Sequence, residues 1–213
     1  MADPSVSYRE RLARPTFLKH DARLERACLV GLARWLSERD SITSIVDVMG
    51  GIGESAGVWE QELSPETMLL NDLDEHCCKQ LVGRYPDATV SNRDAKAWDW
   101  PPADLVFIDF NCFTLRQVDE WAVVFERLAR TARWGLVTDS CCYGFKFGAR
   151  ASWRRYADSE AGYWALLERT FWNRFGLGLR AASRFSNAAF LLFDHLAPGV
   201  EWIKPIEDRK GFF

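Results

Sequence analysis

The sequence lacks any long hydrophobic run. No stretch approaches the roughly 18 to 20 uninterrupted apolar residues that a membrane-spanning helix needs. The first residues, MADPSVSYRERLARP, also lack the apolar core that is typical of a secretion signal. We therefore expect a soluble, cytoplasmic protein that has no membrane partner.

The chain also lacks the cysteine spacing of a structural zinc site. Its six cysteines include two adjacent pairs, whereas a zinc knuckle separates its thiolates by about two to four residues so that both reach one ion. A chain of 213 residues does not need disulfide staples to fold. We predict no metal site, and we expect reduced, mostly buried thiols at Cys28, Cys77, Cys78, Cys112, Cys141 and Cys142.

There is little excess of charge, because the net charge is only −3, but the charges are unevenly distributed. Residues 1–34 carry seven Lys or Arg against four acids, and residues 146–184 carry eight against three. The stretch 35–145 carries nine against nineteen. If the fold brings the two basic segments together, they form a positive face for RNA or DNA. The alternative is that these arginines lie on solvated helix faces.

Internal repeats and low-complexity linkers are absent too, so we predict a single domain over residues 1–213. Residues 1–40 form an N-terminal helical extension in this interpretation. Apolar residues at helical spacing predict a helix over 21–38, with Asp21 as its N-cap.

Five short apolar segments alternate with helical segments along the chain. They predict strands at 44–50, 66–72, 88–92, 103–110 and 135–140, the last beginning after Gly135. A helical stretch over 151–174 and two strands, LRAASRFS and NAAFLLFDH, follow and are joined by a turn at Ser186 and Asn187. This order predicts an α/β fold with a doubly wound, mostly parallel, seven-stranded sheet whose last strand is antiparallel.

The segment VDVMGGIGESA (46–56) holds the glycine loop. Gly51, Gly53 and Ala56 fit the dinucleotide fingerprint G-x-G-x-x-G/A, and Asp72 follows about 20 residues later, where that fingerprint has a ribose-binding acid. Asp47 argues against this interpretation, because a carboxylate in the first strand beneath a pyrophosphate is costly. A cationic cofactor suits Asp47 better.

The loop DVMGGIG and the order of strands resemble class I, Rossmann-like methyltransferases that use S-adenosylmethionine (SAM). The loop is most similar to the D-x-F-x-G-x-G form of nucleic-acid methyltransferases, and Met49 replaces the first glycine of the commoner D-x-G-x-G-x-G form. The resemblance covers about residues 44–140. It implies SAM as the cofactor, with Asp72 accepting from the ribose hydroxyls and Asp94 from the adenine amino group. The implied cofactor-binding residues are Asp47, Gly50, Gly51, Gly53, Asp72 and Asp94.

The segment after the fourth strand, DFNCF (109–113), stands where amino methyltransferases of nucleic acids carry D-P-P-Y or N-P-P-Y. By this resemblance Asp109 and Asn111 orient the methyl acceptor, and Phe110 or Phe113 stacks on a base. Both prolines of the family motif are missing here.

Cys112 suggests a second chemistry. Enzymes that methylate carbon 5 of cytosine in RNA resemble this chain in having a cysteine three residues after the strand-four acid, and a T-C pair where Ser140 and Cys141 stand. The thiolate of Cys112 would then add to the pyrimidine ring. Asn111 replaces the proline of that motif, and a cysteine near a strand end is often simply a small buried residue.

Aromatic and basic residues alternate over residues 141–156. Tyr143, Lys146 and Arg150 belong to this stretch and could bind a flipped or single-stranded base by stacking and phosphate contact. The same aromatics could instead pack a helix on the sheet. We therefore predict a SAM-dependent methyltransferase that acts on a nucleic acid or nucleotide base. The alternatives are a small-molecule methyltransferase, a SAM-binding module without activity and an NAD-dependent oxidoreductase.

Overall fold

The computed structural model describes residues 15–110, 115–139, 159–185 and 188–206. The elements in chain order are α1 (Pro15–Ser37), β1 (Ser44–Asp47), α2 (Glu54–Leu63), β2 (Thr67–Asn71), α3 (Glu75–Arg84), β3 (Thr89–Ser91), β4 (Ala103–Ile108), a short 3₁₀ turn (Leu115–Gln117), α4 (Ala122–Thr131), β5 (Ala132–Asp139), α5 (Glu160–Phe175), β6 (Gly178–Phe185), β7 (Ala188–Asp194) and β8 (Glu201–Trp202). The predicted α/β alternation is confirmed across these ranges.

The strands form one sheet in the order β3-β2-β1-β4-β5-β7-β6-β8. The strands β1 to β5 pair in parallel, whereas β7 runs antiparallel to both of its neighbours, β5 and β6. The doubly wound, mostly parallel sheet with a reversed late strand is thus confirmed. The described sheet has eight strands instead of the predicted seven, because β8 pairs with β6 at Ala181 and Ala182. Two residues are too few to show strand periodicity in a sequence.

Helices cover both faces of the sheet. The helices α1 and α2 pack on one face over a core that contains Trp59, Phe107 and Phe190. The helices α4 and α5 pack on the other face, over a core that contains Phe125 and Phe171. The helices α1 and α5 thus lie on opposite faces of the sheet. Within the described ranges, no helix combines the length and apolar character needed to cross a bilayer.

The first helix begins at Pro15, six residues before the predicted start. Proline suits the first turn of a helix because its missing N–H has no partner there. Asp21 therefore lies inside α1 and does not cap it. The predicted apolar face is confirmed, because Cys28, Leu32 and Leu36 are fully buried against the sheet.

The fifth strand begins at Ala132, so Gly135 lies inside β5 and does not precede it. The reason is packing against α4. A Cβ atom at Gly135 would stand only 2.9 Å from Cδ2 of Leu128, a core residue of α4. Glycine thus provides the space in which Leu128 meets the sheet.

We expect Gly135→Ala to lower the free energy of unfolding by about 1–3 kcal/mol, because the added methyl group overpacks the contact with Leu128. Gly83→Ala is the matched control, since a Cβ there meets nothing within 4 Å in the helix α3. It should be neutral or stabilising by up to about 1 kcal/mol. Denaturant unfolding measures both variants, and equal stabilities would contradict the packing argument.

Candidate functional site

Four carboxylates lie at the carboxyl ends of adjacent parallel strands. Asp47 ends β1, Asp72 follows β2, Asp109 follows β4 and Asp139 ends β5. The carboxyl ends of parallel strands meet at one edge of an open α/β sheet, which is where such folds bind ligands. This edge is therefore the candidate site.

The glycine loop between β1 and α2 crosses this edge. Gly51 and Gly53 have φ values of +53° and +88°, in the left-handed region that favours glycine. A Cβ at Gly53 would also stand 2.5 Å from Cε2 of Tyr85. The Tyr85 hydroxyl donates to the Gly53 carbonyl at 2.5 Å, so α3 supports the loop from behind. Backbone conformation explains glycine at both positions, and packing against Tyr85 is a second reason at Gly53.

Gly50 is different, because its own surroundings do not demand glycine. Its φ lies outside the left-handed region, and a Cβ there would stand 3.5 Å from Oδ1 of Asp47, an ordinary contact distance. The position that a Cβ would take at Gly50 is therefore in contact with the Asp47 carboxylate. A ligand that approaches the backbone closely at Gly50 would account for the absence of a side chain there.

Asp47 is completely buried and only half satisfied. Its Oδ2 accepts a hydrogen bond from the Ser55 hydroxyl at 2.6 Å, whereas no donor in the described part of the chain reaches Oδ1 with hydrogen-bond geometry. Burial raises the pKa of Asp47 to about 7, the Ser55 hydroxyl opposes this rise and the nearby Asp109 adds to it. A buried carboxylate oxygen without a donor is costly, so the site favours a cation at Oδ1.

Asp109 extends the same negative region. The Thr138 hydroxyl of β5 donates to its Oδ1 at 2.8 Å. Burial raises the pKa of Asp109, the hydrogen bond from Thr138 lowers it and the charge of Glu54 raises it again. Asp47, Glu54 and Asp109 therefore form an acidic group around the start of α2.

The raised pKa of Asp47 predicts that stability falls with pH. Between about pH 4 and pH 7 the folded protein holds a proton at Asp47 that the unfolded chain releases. This stabilising contribution is complete below the unfolded pKa and disappears as the pH rises through about 7. Each unit of the shift corresponds to about 1.4 kcal/mol.

Asp47→Asn should therefore gain stability over the wild-type protein by about 1.4 kcal/mol or more as the pH is raised from 5 to 8. Urea unfolding at several pH values measures this difference. The control is Asp87→Asn, because Asp87 is exposed in the turn before β3. A difference for Asp47→Asn that stays flat with pH would refute the assigned burial of charge.

Asp72 is fixed by two backbone groups. Its Oδ2 accepts from the Gly51 N–H at 2.9 Å and its Oδ1 accepts from the Asp74 N–H at 2.7 Å. Each carboxylate oxygen can accept a further bond. Asp72 thus ties the glycine loop to the end of β2 and still offers both oxygens to a ligand.

Asn71 is a site residue that sequence analysis missed. Its amide nitrogen donates to the carbonyls of Val48 and Arg93, at 2.9 and 3.0 Å. Its Oδ1 accepts from the Ser91 hydroxyl and the Arg93 N–H, at 2.7 and 2.9 Å. All four bonding positions of the amide are used, so Asn71 joins the glycine loop to the segment after β3. An asparagine beside an aspartate at a strand end gives no sequence signal for this role, since both residues are typical of turns.

Asp94 caps the turn after β3. Its Oδ1 accepts from the Lys96 N–H at 2.9 Å, and its carbonyl accepts from the N–H groups of Ala97 and Trp98. Among the described residues, no acceptor reaches the Ala95 N–H. The exposed Asp94 carboxylate, an acceptor, therefore lies beside a backbone donor in the same turn.

Phe110 does not fit its predicted role as a stacking residue. It is only 3% exposed, and its ring packs edge-on against Trp121 and tilted against Phe125. Phe110 lies two residues beyond β4 and belongs to the same core as Val106 and Ile108, so its ring is not available to stack on a base. The other predicted acceptor-side residues lie outside the described ranges: Asn111, Cys112, Phe113, Cys141, Tyr143, Lys146 and Arg150.

Comparison with known proteins gives a fold and no sequence family. Neither family models nor curated proteins match this chain. Solved structures do match. One is the methyltransferase domain of bacterial CtHen1, with 11% identity, a TM-score of 0.59 and coverage of 80% of this chain and 99% of that domain. Another is an S-adenosylmethionine-dependent methyltransferase from Clostridium acetobutylicum, with 9% identity, a TM-score of 0.60 and coverage of 82% and 92%.

A third match is NcsB1, an O-methyltransferase of neocarzinostatin biosynthesis solved with S-adenosylmethionine and 2-hydroxy-5-methyl naphthoic acid. It shares 18% identity with a TM-score of 0.55, and the match covers 79% of this chain and 53% of NcsB1. At such low identities the likeness concerns the fold alone. The described chain has the fold of class I SAM-dependent methyltransferases.

Proposed function

We propose that this protein binds SAM at the glycine loop and is a methyltransferase. The observation that carries the proposal is the buried Asp47 oxygen beside Gly50, which no donor among the described residues reaches with hydrogen-bond geometry. SAM carries a sulfonium and an ammonium group, and the acidic group of Asp47, Glu54 and Asp109 suits a cation. A pyrophosphate would place like charge on the same carboxylates, which argues against a nicotinamide cofactor.

The remaining strand ends suit the other parts of SAM. The two oxygens of Asp72 keep acceptor capacity for vicinal ribose hydroxyls. The Asp94 carboxylate and the Ala95 N–H present an acceptor beside a donor, which complements the 6-amino group and N1 of adenine. These residues fit the cofactor that the sequence resemblance implies.

The chemistry supplied by bound SAM is an activated methyl group on a sulfonium. The contribution of the protein is to hold an acceptor in line with that group and to exclude water. Asp109 accepts a hydrogen bond from Thr138 at one carboxylate oxygen. It is suited to accept another from the N–H or O–H group of the substrate that receives the methyl group. Because the pKa of Asp109 is raised, its carboxylate is also suited to take up a proton.

For the acceptor we propose a nucleic acid or nucleotide base. The support is the order of residues 109–113 and the aromatic and basic composition of residues 141–156. A small molecule is the second candidate, because NcsB1 was solved with a naphthoic acid. Within the first proposal, Cys112 offers the alternative of attack on a pyrimidine ring.

We also propose the cytoplasm as the place of action. The three described cysteines, Cys28, Cys77 and Cys78, are buried thiols. Burial raises the pKa of the Cys28 thiol to about 11, so this thiol stays protonated and inert. Such cysteines suit a reducing compartment.

Asp72→Ala should weaken SAM binding by about 1–3 kcal/mol, because ribose hydroxyls and the Gly51 N–H lose a shared acceptor. Isothermal titration calorimetry with SAM measures the loss, and Asp87→Ala is the exposed control. Gly50→Ala should fold normally and also bind SAM more weakly. An unchanged dissociation constant in both site variants, or wild-type binding of NAD in place of SAM, would count against the assigned pocket.

Transfer of a labelled methyl group from SAM should appear in RNA or DNA when the protein is incubated with total nucleic acid. Asp109→Asn keeps an acceptor for Thr138 and should still bind SAM, but transfer should fall by about 100-fold or more. Acceptor binding should weaken as salt rises. Label found only in metabolites would support the small-molecule alternative, and SAM binding with no transfer into any pool would support the inactive module.

A further inference from the structure

Arg127 of α4 is a buried cation that the proposed mechanism does not use. It is only 8% exposed, in a helix that packs on the face of the sheet opposite α2. A guanidinium is seldom buried without partners, because its desolvation is costly. The contacts of the Arg127 guanidinium therefore indicate which segment of the chain this residue stabilises.

Among the described residues, the polar and ring contacts of the Arg127 guanidinium fall within residues 95–100. Its Nη1 donates to the carbonyls of Ala95, at 3.2 Å, and Trp98. Its Nε lies 3.2 Å from Oδ1 of Asp99, and its guanidinium lies over the ring of Trp100, 4.9 Å from the centroid. The segment is the turn that Asp94 caps.

This turn depends on support from outside itself. The strand β3 before it has only three residues, and residues 92–102 pair with no strand. The Trp100 indole donates to the Thr131 hydroxyl at 2.9 Å, and that hydroxyl donates to the Arg127 carbonyl. The helix α4 thus supports the turn, and Arg127 holds the carbonyls of Ala95 and Trp98.

We propose that Arg127 is a positioning residue that sets the selectivity of the nucleoside pocket for a 6-aminopurine over a 6-oxopurine. The inference rests on the proposed function. Arg127 fixes the Ala95 and Trp98 carbonyls and thereby the turn. The fixed turn holds one hydrogen-bond acceptor, the Asp94 carboxylate, beside one donor, the Ala95 N–H. A 6-oxopurine has the inverted order, with an acceptor at O6 and a donor at N1, so a rigid turn rejects it.

Arginine is needed for this task because several contacts diverge from one planar group. Lysine offers a single point charge and cannot reach two carbonyls while stacking on Trp100. Arg127→Lys should therefore retain part of the effect, whereas Arg127→Met should remove it. Arg130→Met is the matched control, since Arg130 is exposed on the same helix.

The test compares two ligands in calorimetric titrations, S-adenosylhomocysteine and S-inosylhomocysteine. We expect the wild-type protein and Arg130→Met to prefer the adenine ligand by about tenfold or more. Arg127→Met should reduce this ratio of affinities by roughly threefold or more, and Arg127→Lys should reduce it by a smaller factor. A purely structural role for Arg127 weakens both ligands equally, so an unchanged ratio would overturn the proposal.

Two further outcomes remain distinguishable. If the wild-type protein binds neither ligand, the proposed function itself fails, and this is separate from failure of the Arg127 inference. If Arg127→Met does not fold, as judged by circular dichroism and a thermal melt, Arg127→Lys is measured alone. A wild-type ratio in folded Arg127→Lys would then contradict the proposal, and a reduced ratio would support it.

Discussion

The candidate site depends on one buried, half-satisfied carboxylate. Asp47 ends the strand β1, which has the parallel strands β2 and β4 on either side. The Ser55 hydroxyl donates to Oδ2, and no donor among the described residues reaches Oδ1 with hydrogen-bond geometry. Because an unpaired buried carboxylate oxygen costs free energy, the fold retains here a feature that is unfavourable for stability and favourable for binding a cation. Gly50 and the left-handed glycines Gly51 and Gly53 lie in the loop that follows this carboxylate.

The two helical layers serve different ends of the proposed cofactor pocket. The helix α2 follows the glycine loop and supplies Ser55, so one layer shapes the region around Asp47. The helix α4 lies on the opposite face, and through Arg127 it holds the turn that Asp94 caps. Asn71 and Asp72 link the two regions across the end of β2. The pocket is thus a product of both faces of the sheet.

The fold likeness at 9–18% identity has a physical basis. A doubly wound sheet needs only alternating apolar strands and helices, and many sequences satisfy that requirement. The acceptor is chosen by loops beyond the strand ends, which vary without disturbing the core. For this reason the likeness leaves the choice between a nucleic acid and a small molecule to the loop residues and to experiment.

The sequence alone determined the alternation of strands and helices, the glycine loop and the acids at the strand tips, because these signals are local in the chain. Tertiary structure decided what depends on distant partners. Arg127 meets a carbonyl 32 residues away, Asn71 bridges to Arg93 22 residues on, and Gly135 is explained only by Leu128 across a packed layer. The sequence alone predicts Phe110 as a base-stacking ring, whereas in the structure it packs against Trp121 and Phe125 in the core. Hydrogen bonds and packing between segments leave no periodic trace in a single sequence.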